Sequence, residues 1–130
     1  MGLITEKLLL IGHNGRTEVT ALFDTGSTHS LVREDIARGI ADLDDLPEPK
    51  EYQLAVGSIV ARKGVFADVV LQGKRLTIGL KVVKGLTEEL ILGVDFMQTW
   101  QIRLDPRRHR ATVDPRALRL KAVGSRHFPK

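Results

Sequence analysis

The residues best placed to do chemistry stand together as Asp24-Thr25-Gly26-Ser27, directly after the apolar run Val19-Thr20-Ala21-Leu22-Phe23. A carboxylate carried by a buried strand onto a small turn is held rigidly. Gly26 lets other backbone come close because it has no side chain and tolerates angles that other residues avoid. A carboxyl so placed can take or give a proton, and two held a few ångströms apart cannot both ionise, so they share one proton and offer base and acid together. Taken alone, Asp-Thr-Gly is an acidic turn after a strand. The context adds a second apolar run, Glu89-Leu90-Ile91-Leu92-Gly93, followed at once by Asp95-Phe96-Met97-Gln98-Thr99-Trp100. No second Asp-Thr-Gly or Asp-Ser-Gly occurs, and the chain has no internal repeat.

The elements that must position this turn read mostly as strands and tight turns. Leu8–Ile11 and Thr17–Phe23 flank Gly12-His13-Asn14-Gly15-Arg16, where Asn-Gly favours a hairpin, so the two runs are expected to pair antiparallel. Ser30-Leu31-Val32 reads as a short buried strand, and Arg33–Arg38 as one or two helical turns closed by Gly39. Asp42–Lys50 is acidic and broken by Pro47 and Pro49, the pattern of a surface loop. Glu51–Val56 and Ile59–Arg62 are expected to form a hairpin turning at Gly57-Ser58, and Val65–Leu71 and Leu76–Val83 another turning through Gln72-Gly73-Lys74-Arg75. Val94–Trp100 is the better helix candidate, with Asp95 as its cap and Phe96, Met97 and Trp100 on one apolar side as core. Ile102–Leu104 and Ala111–Val113 bracket a turn preset by Pro106. The domain expected is all-β with one short C-terminal helix.

The apolar run into Asp24-Thr25-Gly26-Ser27, with Ile91-Leu92-Gly93 and the segment after it, resembles the retropepsin-like aspartic proteases, a single-domain family with retroviral, retrotransposon and cellular members. The resemblance covers roughly residues 5 to 114. It implies an acid-protease barrel active as a homodimer, an aspartic endopeptidase that hydrolyses peptide bonds of an extended polypeptide. Because the chain carries one such turn, the twofold axis must supply the second carboxylate, making Asp24 and its symmetry mate the dyad. Carried over residue by residue, the resemblance makes Asp24 catalytic and has Thr25 tie the two turns together. Gly26 then admits substrate backbone, and Ser27 hydrogen-bonds the carboxylate, which would lower its pKa. Val56, Gly57 and Ser58 stand where the family carries a flap that closes over substrate. Ile91-Leu92-Gly93 stands where a second apolar strand braces the Asp-bearing turn. One departure is plain: retroviral members follow that glycine with Arg, whereas here Val94 precedes Asp95, a pattern nearer to retrotransposon or cellular members.

With 130 residues the expectation is one domain over 1–115 and a basic tail over 116–130. Residues 103–130 hold nine Lys or Arg against two Asp, so the net charge of +4 belongs to that end of the chain. A solvated tail is the simpler reading; without interleaved aromatics, nucleic acid is not the expected partner. No apolar run approaches a bilayer span and no basic stretch leads into an apolar core, so a soluble chain, cytoplasmic as it stands, with no membrane partner is expected. The absence of Cys removes thiol nucleophiles, disulfides and thiolate sites. His13, His29, His109 and His127 have no metal-ligand spacing, and no Gly-x-Ser-x-Gly elbow or phosphate loop occurs, so neither metal nor cofactor is expected. Two rival functions remain open. One is an inactive module of the same fold that dimerises or binds peptides; the other is a nucleic-acid-associated domain acting through the tail.

Overall fold

The computed structural model describes residues 3–54, 57–114 and 116. Period-two burial drives its strands. Strand β2 (Arg16–Asp24) buries Val19, Ala21 and Phe23 and leaves Glu18 and Thr20 exposed, so a run of β-branched and aromatic residues ends with Asp24 at its carboxyl edge. It pairs in continuous antiparallel register with β1 (Leu3–Ile11), from Leu3 opposite Asp24 to Ile11 opposite Arg16.

Strand β3 (Leu31–Arg33) leads into helix α1 (Glu34–Ile40), and β4 (Asp44–Leu54), β5 (Gly57–Leu71) and β6 (Lys74–Val83) follow as a meander. Then come the wholly buried β7 (Leu90–Leu92), helix α2 (Val94–Thr99), and the hairpin of β8 (Ile102–Asp105) with β9 (Arg110–Val113). The sheet runs β1-β2-β7-β3-β6-β5, and β5 returns to β1 through Leu9 opposite Val70 and Ile11 opposite Asp68. Six strands therefore close a barrel, which removes its free edges, and β4 hangs outside on β5. Phe23, Leu10, Val69, Leu76, Leu80, Leu90 and Leu92 fill the interior, and Phe96 of α2 meets Phe23 with ring centroids 6.5 Å apart.

A second, smaller cluster holds Leu31, Ala61, Val83, Leu86 and Ile91, with Tyr52 and Ile59 packed on it. It lies under a two-stranded arm. From Lys50 to Leu54, β4 pairs only with residues 57–61 of β5, because β5 does not meet β6 until Lys63.

Several local expectations are corrected. The segment 42–50 is not simply a loop: β4 begins at Asp44 and pairs with Gly64, and the prolines fall in a register break between Asp45 and Lys50, where strand pairing is interrupted and a missing N–H costs least. The arm does not turn at Gly57-Ser58, since Leu54 stands opposite Gly57 and Gln53 opposite Ser58, putting both residues on β5. The runs Ile59–Arg62 and Val65–Leu71 belong to one strand, β5, which continues for 15 residues. The next hairpin turns on Gln72-Gly73 alone, both at left-handed φ of 52° and 76°, the two-residue geometry that matches strand twist. Gly39 lies inside α1, which ends at Ile40 with the Ala41 N–H bonded to the Ala37 carbonyl. The cap position of α2 is Gly93, not Asp95. No helix among the described residues is long and apolar enough to cross a membrane.

Candidate active site

Asp24 is the last residue of β2, half-buried, and the chain reverses immediately beyond it. The Ser27 N–H donates to the Asp24 carbonyl at 3.1 Å, closing a four-residue turn, and the Gly26 N–H donates to Asp24 Oδ1 at 2.8 Å. One carboxylate oxygen is thereby fixed by backbone, while Thr25 and Gly26 face outward, exposed. Such a turn can present a carboxyl group to a partner surface or to a substrate.

The turn is braced from behind by the second apolar segment. Parallel pairing sets Phe23 beside Leu92, so Gly93 arrives next to the chain leaving Asp24. The Val94 N–H donates to the Ser27 carbonyl at 2.8 Å and the Asp95 N–H to the Thr28 carbonyl at 3.2 Å. Only glycine permits this approach: a Cβ at position 93 would stand 2.7 Å from the His29 carbonyl oxygen and closer still to that of Ser27. Ser30, 1% exposed, completes the brace. Its hydroxyl donates to Asp95 Oδ1 at 2.6 Å and accepts from the Gly93 N–H at 3.0 Å, while its N–H donates to Asp95 Oδ2 at 3.1 Å. Asp95 thus ties the start of α2 to the strand that follows the turn.

Ser27 departs from its expected role. Its hydroxyl donates to the His29 carbonyl at 2.7 Å, so within one chain it fastens the loop rather than Asp24's carboxylate.

Beside the turn opens a groove of about 470 Å³, walled by Gly26, Ser27, Thr28 and His29 on one side and by Lys50–Gln53 of β4 on the other, with Leu31 between. The rings of His29 and Tyr52 meet across it, centroids 5.2 Å apart. Burial, and after it the charge of Asp95, pushes the Tyr52 phenol above its ordinary pKa, so it stays a neutral hydrogen-bond donor. Gly57 and Ser58 are exposed near the tip of the arm and do not line this groove; Val56 lies outside the described residues. Among the described residues no group of three or more His, Asp or Glu side chains is arranged to hold a metal ion.

Sequence reasoning thus placed Asp24, Thr25, Gly26 and Ser27 on one turn and missed His29, Ser30, Lys50, Tyr52 and the tie of Asp95 to Ser30. Ser30 is one strand residue among many until β7 is set beside β3. Tyr52 acquires meaning only once the register of β4 on β5 is known.

Residues 11–99 match the model of a family described as "gag-polyprotein putative aspartyl protease". Two solved structures share the fold. The retroviral protease-like domain of Ddi1 from Leishmania major superposes with a TM-score of 0.64 at 18% identity, over 88% of this chain and 89% of that one. The EIAV protease complexed with the inhibitor HBY-793 gives 0.60 at 18% identity, over 78% and 90%. No curated protein sequence matches.

Proposed function

Because this chain belongs to the retropepsin-like, gag-polyprotein aspartyl protease family, we propose that it is an aspartic endopeptidase whose active site is assembled from two copies of the chain. The observation that carries this reading is the Asp24 turn. It offers one carboxyl group, backbone-fixed at one oxygen and flanked by exposed Thr25 and Gly26, and the sequence holds no second Asp-Thr-Gly or Asp-Ser-Gly. Peptide hydrolysis without a metal needs a base and an acid at once, and a twofold axis beside the turn provides both from one residue type.

In the proposed reaction an extended peptide lies across the axis. The ionised Asp24 takes a proton from a bound water, whose oxygen attacks the scissile carbonyl carbon. The protonated Asp24 of the partner subunit gives its proton to the carbonyl oxygen. Collapse of the tetrahedral diol breaks the C–N bond: the Asp24 that took the water's proton gives it to the departing amine nitrogen, one diol hydroxyl returns its proton to Asp24 of the partner subunit as the carboxyl product forms, and the pair again shares one proton. A positioned acid and base of this kind contribute about 10²–10⁴-fold each, and the titration belongs to the pair rather than to either residue. Thr25 links the two turns, Gly26 admits the substrate backbone, and the arm bearing Gly57 and Ser58 closes over the bound peptide as a flap.

The test is incubation of the wild type and Asp24→Asn with a mixed peptide library at acidic and neutral pH. Cleavage by the wild type alone, with activity per subunit falling on dilution, is expected. Equal cleavage by the variant overturns the mechanism. A wild type that binds peptides without cutting them makes the chain an inactive peptide-binding member of the family.

A further inference from the structure

The groove beside the catalytic turn has an uneven distribution of polar groups that bears on which peptides it accepts. Its floor is apolar, since Leu31 is 1% exposed and belongs to the small cluster under the arm. Its wall is built from β4, where alternate residues face opposite ways. The Tyr52 ring touches His29, which fixes the face of β4 that looks toward the turn. Lys50, two residues earlier and about 7 Å along the strand, shares that face. Glu51 and Gln53, which also line the groove, alternate with them along the strand. Lys50 forms no ion pair with any described residue, whereas Lys63, on the neighbouring strand, is paired with Asp45.

The β4 face that looks toward the turn, with His29 opposite, therefore brings together hydrogen-bond donors: the Lys50 ammonium, the Tyr52 hydroxyl and an imidazole N–H of His29, which is available in either protonation state. Asp95, whose charge reaches Tyr52, is already engaged by the N–H and hydroxyl of Ser30 and by the Phe96 N–H. Glu51, although part of the wall, alternates away from the ring pair.

We propose that this groove selects a substrate side chain bearing a carboxylate, a Glu or Asp within one or two positions of the scissile bond, whose aliphatic stem lies over Leu31 and whose carboxylate is met by Lys50, Tyr52 and His29. The position follows from the wall itself, because Gly26 and Ser27 are also the second and third residues beyond Asp24. Glutamate suits the space better than aspartate, since its longer stem covers more of the apolar floor. The inference rests on the endopeptidase reading for its reaction but not for its ligand.

The experiment has two arms. In the first, peptides that differ only in Glu, Gln, Leu or Lys at each position flanking the cleaved bond are compared by kcat/KM. One position is expected to prefer Glu over Lys by about tenfold or more, the scale of one charge-assisted hydrogen bond. Lys50→Glu is expected to invert that ratio. In the second arm the Asp24→Asn chain, which cannot turn substrate over, is titrated with fluorescein-labelled Glu and Lys peptides and followed by anisotropy at low and high salt. The same preference and the same inversion by Lys50→Glu are expected. Equal handling of Glu and Lys peptides by the wild-type groove, or a ratio that Lys50→Glu leaves unmoved, overturns the proposal. If nothing is cleaved, the endopeptidase reading falls while the binding arm still decides the selectivity.

Discussion

Gly93→Ala isolates the brace behind the Asp24 turn. The residue has φ of −98°, so alanine introduces no backbone strain, and its effect is steric alone. The new Cβ would stand 2.7 Å from the His29 carbonyl oxygen, against the 3.4 Å where ordinary contact begins, and nearer still to Ser27. Both obstacles are main-chain atoms, so a rotamer change cannot relieve them, and the loop after Asp24 must retreat by at least about 0.7 Å, the difference of those distances. Overpacking of this kind costs about 1–3 kcal/mol of stability. A displacement approaching 1 Å at a reacting group costs up to about 10²-fold in rate. The assay pairs urea denaturation with kcat/KM for an Asp24-dependent cleavage. The expected result is an activity loss well beyond the fraction unfolded under assay conditions. Gly39→Ala is the control, because its Cβ meets nothing within 4 Å and alanine in a helix gains about 0.5–1 kcal/mol. Full activity in Gly93→Ala would refute the idea that the second apolar segment sets the position of Asp24.

Three further outcomes are expected. Ser30→Ala removes the hydroxyl that accepts the buried Gly93 N–H and binds Asp95, so denaturation should show a loss of about 1–3 kcal/mol, with Ser30→Thr recovering part of it. Tyr52 is the sole tyrosine, so tyrosinate absorbance reports it directly. Its midpoint should lie above 10.0, and Asp95→Asn should lower it by the smaller share that the charge contributes beside burial. As this pKa is raised by folding, its stabilising contribution is complete below the unfolded value and is lost as pH rises through the folded one. The Asp68 carboxyl is held below its ordinary pKa, first by the Thr77 hydroxyl, against a smaller opposing effect of burial, and then by Arg75. Its contribution is therefore present above the unfolded value of 3.8 and lost as pH falls through the folded one. Asp68→Asn should be less stable than wild type at pH 7 by about 1 kcal/mol, with the gap closing below about pH 4.

What was legible beforehand followed from interactions close in sequence. Alternation over 16–24 and the small residues after Asp24 each declare a local preference, and the pairing of β1 with β2 and the turn at Asp24 followed them, although Asn14 and Gly15 do not take the left-handed angles that Asn-Gly favours. The misread stretches depend on partners far along the chain. Pro47 and Pro49 argue locally for a loop, yet β5 captures both flanks of the segment as strand and leaves the prolines at the break in register. Glycine at 57 suggested a turn, but the pairing of Leu54 with Gly57 leaves it on the strand with φ of 134°. Asp95 looked like a helix cap because Ser30, 65 residues earlier, is invisible as its partner until β7 and β3 are side by side. The same holds for the His29–Tyr52 pair, which no spacing in the sequence announces.

The central claim is that one Asp24 from each of two copies makes a single site, and subunit mixing tests it most directly. Wild-type and Asp24→Asn chains are unfolded together, refolded at fixed total concentration and assayed across the mixing ratio. If the site needs two intact carboxyls, activity falls as the square of the wild-type fraction, to roughly a quarter at an equal mixture, because randomly formed pairs carrying one variant chain are dead. A linear fall, to roughly a half at the same point, would mean that each chain works alone and would contradict the shared dyad.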